Sequence, residues 1–167
     1  MKKIIIALLM VLPFTAMAAD LKIGVFNSQE VITIMPEYNA AMSELENMNL
    51  KFQTEGKKLQ EELEKKYQEY TSTAETLEPA IRQYKETELA RLQQSIQEFA
   101  TSAENNIKKK QQELMMPIIN KINQAIKKVG DENGFTYIID NAANIIPYVA
   151  PSAENVLPLI KKALNIQ

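Results

Sequence analysis

Between Glu37 and Val129 the hydrophobic positions recur in steps of three and four, the spacing of a narrow stripe along a helix. The stripe first runs through Leu45, Met48, Phe52, Leu59, Leu63, Tyr67, Tyr70, Ala74 and Leu77. It resumes at Leu89, Leu92, Ile96, Phe99, Ala103 and Ile107. A seam this narrow suits one partner helix better than a sheet. Gly56, Pro79 and Pro117 are the poor helix formers of the stretch, which is otherwise dominated by Glu, Lys, Gln, Leu, Ala, Met and Ile. Small and β-branched hydroxyl residues from Ser72 to Thr76 weaken the helix, and Pro79 is accommodated only near the start of a new one. A short break favours antiparallel neighbours, which predicts a helical hairpin with its tip near residues 72–79. At ~1.5 Å per residue each arm would reach roughly 60 Å or more.

The flanking segments carry β patterns. Leu21–Phe26 alternates weakly and is rich in β formers, so a strand is expected there. Asn27 offers a helix cap and Glu30 the matching capping-box residue, ahead of a short helix through Val31 and Ile32. Pro36 then starts the first arm. At the far end Gly130 and Gly134 bracket a helix stop. Phe135–Asp140 is the clearest strand, residues 141–144 a turn, and Ile145–Val149 a further strand placed at an edge by Pro147. Asn155 caps a last helix from Val156 to about Asn165, with Pro158 in its first turn. The expected fold is therefore mainly α with a small β body, residues 19–35 plus 130–167, into which the arms of residues 36–129 are inserted. A body of 55 residues drawn from two separated segments is marginal alone and asks for a multimer.

Residues 1–18 read as a secretory signal peptide of bacterial type. Lys2 and Lys3 are the basic start, Ile4–Phe14 the apolar run, and Ala16-Met17-Ala18 the cleavage site. The run is shorter than the ~18–20 residues a membrane span needs. The expected mature chain is exported, periplasmic and without a transmembrane segment.

Composition then removes function classes. The chain has no Cys, no His and no Trp, so a Ser-His-Asp triad, a cysteine nucleophile and a usual zinc site are excluded. Carboxylates abound, but they fall on the outer faces of the expected helices, and Gly24 belongs to no phosphate loop. Neither an enzyme nor a cofactor is expected. Without Lys2 and Lys3 the net charge is −4, which argues against nucleic acid as the main partner. Residues 37–78 sum to −5 and residues 79–129 to +4. Opposite charge favours antiparallel pairing and sets register more than stability. Lys108-Lys109-Lys110 reads as a solvated helix face, with contact to an anionic surface as the alternative.

A signal peptide, the run LKIGVFNSQEVI, a long charged hairpin, then ELMMPIINKINQAIKKVGDENG, GFTYIIDNAANIIPY and the terminal NVLPLIKKALN together resemble the Skp/OmpH family of periplasmic chaperones. That resemblance implies a jellyfish-like homotrimer in which a β body holds three α-helical tentacles around a cavity. It further implies ATP-independent binding of unfolded outer-membrane proteins before their insertion. The chain departs from the family's strongly basic tentacles, since residues 37–129 sum to −1, and no lipopolysaccharide site is carried over.

A holdase needs apolar surface that is exposed yet dispersed, and Met suits promiscuous surfaces. Phe52, Leu63, Leu92, Ile96 and Phe99 are assigned to the hairpin seam. Tyr67, Tyr70, Leu77 and Tyr84, near the tip, are the candidates for client contact. The competing reading is a structural or adaptor coiled coil of the cell envelope that bridges two folded partners with its tip.

Overall fold

The computed structural model describes residues 21–166. The expected signal peptide, residues 1–18, lies outside them. Strand β1, Ile23–Phe26, leads into helix α1, Ser28–Ile34. Helix α2, Pro36–Thr73, and helix α3, Pro79–Asn133, follow as the long arms, with 38 and 55 residues. Strand β2, Tyr137–Asp140, strand β3, Glu154–Asn155, and helix α4, Leu157–Leu164, complete the order.

The sheet is three-stranded, parallel throughout, and ordered β2-β1-β3. Ile23 pairs with Tyr137 and Val25 with Ile139. The hairpin is thus the crossover that lets the first strand meet the second in parallel. Gly24 and Phe26 point into the core, and Gly24 allows a close approach. A Cβ there would stand 2.6 Å from Val156 Cγ1 and 3.2 Å from the Phe135 ring.

The core lies at one end of the molecule. Ile118, Ile122, Ala125 and Val129 recur in steps of four and three on the last turns of α3, and they meet Val31, Met35, Val156, Ile160 and Leu164. The body-proximal end of the long helix is therefore a wall of the core. Beyond it the arms bury little: from Met42 to Leu114 Ala103 alone is buried. The arms are held by a half-buried seam in which Phe52 and Phe99 meet edge to face, ring centres 6.0 Å apart.

Pro36 and Pro79 each occupy the first turn of a long helix, where a missing N–H costs little. Pro117 is inside α3, which continues through it.

Three local expectations are corrected. The helix does not stop at Gly130. It runs to Asn133 and ends at Gly134, whose φ of 68° is the left-handed cap, with the Gly134 and Phe135 N–H groups donating to the Gly130 carbonyl. Ile145–Val149 is not a strand but irregular loop. Asn144 turns left-handed at φ 50° and Asn141 Oδ1 accepts the Ile146 N–H, so the chain curls away from the sheet. The third strand is Glu154–Asn155, whose pairing with β1 continues as the Val156 N–H donates to the Val25 carbonyl. Finally, Asn27 caps α1 through the Gln29 N–H, but the second capping carboxylate is that of Asp140, not Glu30.

Candidate functional site

The tip half of the hairpin is fastened by polar contacts across the seam. Lys66 Nζ donates to Glu88 Oε1 at 2.7 Å, and the Tyr70 hydroxyl donates to Glu86 Oε1. Nearer the body Lys110 meets Glu44 at 2.7 Å and Lys121 meets Glu37. The two body-side pairs follow the expected polarity, acidic α2 against basic α3; Lys66–Glu88 runs against it. The hydrogen bond from Lys66 holds the Glu88 carboxyl below its usual range, and the same contact raises Lys66. The hydrogen bond to Glu86, followed by desolvation, raises the Tyr70 phenol.

The structure corrects one seam position. Leu63 is followed on the seam by Lys66, not by Tyr67. Lys66 is half-buried there and keeps its ammonium on Glu88 of the other arm. Tyr67 is rotated off the seam and 55% exposed. Its ring joins Leu63, Tyr70, Leu89 and Ala90 along an open groove of about 1000 Å³ on one flank of the hairpin. Charged residues, Glu64 and Glu86 among them, form its rim.

The four sequence candidates do not form one site. Tyr67 and Tyr70 share the groove. Tyr84, 69% exposed, lies on the opposite flank, beside Gln83, Thr87 and Arg91. The separation follows from ~100° per residue around α3: positions 86, 89 and 93 face one way and 84, 88 and 91 the other, with 90 and 87 on the outer edges of the two grooves. Leu77 is half-buried in the bend and lines neither groove. Ala90 was missed as a groove position, because a small residue off the seam carries no hydropathy signal. Leu63 and Leu89 were visible only as seam residues.

A second exposed apolar surface lies on the body. Ile23, Val25, Tyr137 and Ile139 share the sheet face turned away from the core, with Tyr137 60% exposed. Leu21, Ile145 and Tyr148 are also exposed on the body. Among the described residues no group of His, Cys, Asp and Glu is arranged to hold a metal ion, and no helix is long and apolar enough to cross a membrane.

Comparison with known proteins places these features. A family model described as outer membrane protein (OmpH-like) matches residues 22–164. The chaperone protein Skp of Yersinia enterocolitica is 25% identical over 141 residues, 84% of this chain and 85% of the relative. That of Photorhabdus laumondii is 27% identical over 150 residues, 90% and 88% of the two chains. Among solved structures, an OmpH-like outer membrane chaperone candidate from Caulobacter crescentus superposes with a TM-score of 0.73 at 13% identity. It covers 86% of this chain and 83% of its own.

Proposed function

The chain belongs to the OmpH-like outer membrane protein family, and on that premise we propose that it is an ATP-independent periplasmic holdase that keeps unfolded outer-membrane proteins from aggregating before insertion. One observation carries the reading: long arms that bury almost nothing, yet expose Tyr67, Tyr84, Leu50 and Ile81 along their faces. Dispersed apolar groups give an unfolded chain many weak contacts without forming a patch large enough to aggregate the chaperone itself.

The working form is a homotrimer assembled through the body. Parallel sheets are normally covered on both faces, and among the described residues the face of Ile23, Val25, Tyr137 and Ile139 is only half-buried, with Tyr137 exposed. A second copy covers it. Three hairpins then project from one body and surround the client, so that avidity raises weak contacts to useful affinity. Residues 1–18 direct export and are removed after Ala18. The names of the Skp relatives and the fold shared with the OmpH-like chain from Caulobacter crescentus support this reading.

The test is aggregation. A denatured outer-membrane barrel is diluted into buffer with the purified protein and light scattering is followed without nucleotide. Suppression for several unrelated barrels is expected. Stoichiometric binding to one folded partner, with no effect on unfolded chains, would favour the envelope-adaptor reading instead.

A further inference from the structure

We infer that the groove on the Tyr67 flank holds an extended client segment of about six residues, with apolar side chains at alternate positions and basic residues between them. The inference rests on the holdase reading above and adds which face of the arm grips, and what chain shape it takes.

The two flanks differ. The Tyr67 groove is floored by Leu63, Tyr70 and Leu89, with Ala90 on its outer edge, and encloses about 1000 Å³; that of Tyr84 encloses about 400 Å³ and is lined mostly by polar groups. Over the middle turns, the outward face of α3 carries Gln94, Gln97, Thr101, Ser102 and Asn105, and exposed large apolar residues return only at Met116 and Ile119, where the helix joins the body. An unfolded chain that seeks to cover apolar side chains therefore finds its largest gain on one flank.

Length and the apolar row on the floor set the chain shape proposed. The groove runs from Lys57 to Tyr70 along α2, which at 1.5 Å per residue is roughly 20 Å. Six extended residues span about 20 Å. Alternating apolar positions place one row of side chains on the groove floor and the other in water, which is the pattern of a transmembrane barrel strand.

Charge narrows the sequence. Of the rim cations Lys57 is engaged by Glu61 at 3.6 Å. Glu64 accepts from Gln68 Nε2 at 2.7 Å and Glu86 accepts from the Tyr70 hydroxyl, so two carboxylates, one on each wall, meet neutral donors. With Lys65 included, the lining holds three carboxylates against two ammoniums. A segment bearing Lys or Arg complements that excess, and one bearing Asp or Glu does not.

The experiment compares Ala90→Trp, which fills the groove from its outer edge, with Thr87→Trp, which puts the same bulk on the other flank. Both positions are exposed within α3, so both variants should keep wild-type helicity and oligomeric state by circular dichroism and light scattering. The probes are labelled ten-residue peptides alternating Leu or Tyr with Lys, the same with Glu for Lys, and an isomer rearranged to helical periodicity. Ala90→Trp should weaken binding of the alternating Lys peptide at least fivefold, Thr87→Trp less than twofold, and the Glu peptide should bind at least threefold more weakly. Equal effects of the two variants, or preference for the helical isomer, would overturn the assignment. Wild-type capture of an intact unfolded barrel is the separating control. If it persists while the variants behave alike, the flank is wrong and the holdase stands; if it is absent, the holdase reading itself fails.

Discussion

Asp140 Oδ1 accepts the Ser28 backbone N–H at 3.0 Å, across 112 residues of sequence. The same oxygen accepts the Ala142 N–H at 3.0 Å. The residue that ends β2 thereby caps the helix that follows β1, and the segments on either side of the arms are tied to one another. Burial pushes the Asp140 carboxyl up, but the Ser28 and Ala142 donors outweigh it and hold the group below its ordinary value.

Replacing Asp140 by Ala should cost about 1 kcal/mol of body stability, the usual worth of a lost helix cap. The pH dependence follows from the depressed carboxyl. Its stabilisation is complete above roughly pH 4, where the unfolded group is also ionised, and is lost as pH falls through the lower folded value. Denaturant unfolding at pH 7 and at progressively lower pH checks both: the wild type should converge on the variant in acid. A constant difference across that range would place the stabilisation elsewhere.

Two glycines should respond in opposite directions to Ala. At Gly24 the new methyl meets Val156 Cγ1 at 2.6 Å within the buried sheet face, so a loss of about 1–3 kcal/mol is expected from overpacking. Gly130 lies inside α3 and a methyl there would stand 3.6 Å from Ile138 Cδ1, an ordinary contact. Gly130→Ala should gain about 0.5–1 kcal/mol by lowering the freedom of the unfolded chain. Thermal unfolding of the two variants side by side checks the signs.

The hairpin was legible because its two determinants are local. The seam repeats on each arm by itself, and Pro79 admits a helix start and little else; the break indeed falls between Thr73 and Pro79. What was not legible depends on partners distant in sequence. Lys66 and Tyr67 both continue the spacing from Leu63, and hydropathy chooses the tyrosine; the choice of Lys66 needs Glu88 on the other arm. Glu154–Asn155 has no β pattern of its own and becomes a strand by pairing with β1. Tyr84 belongs to the opposite flank from Tyr67 because of the rotation of α3 against α2, which neither arm encodes alone.

Assembly should reside in the body. The buried positions Ile118, Ile122, Ala125 and Val129 lie beyond Ile107, so deleting Leu50–Ile107 in phase, with a short linker joining the arms, removes reach and keeps the core. The shortened chain should remain a trimer by light scattering and lose client capture. A monomer would place assembly in the hairpin.

The central claim is that clients are held by dispersed apolar contacts along the arms. Net charge nearly cancels over residues 37–129, at −1, and the Debye length is already ~10 Å at 0.1 M salt. The direct measurement is fluorescence titration of one unfolded outer-membrane barrel between about 0.05 and 0.5 M salt, for the wild type and for a variant with Tyr67, Tyr70, Leu77 and Tyr84 all changed to Ser. The account predicts saturable capture that weakens only modestly with salt, and a clear loss of affinity in the variant with the trimer intact. A loss of about tenfold or more with salt, which is ~1.4 kcal/mol, or unchanged affinity in the variant, would contradict it.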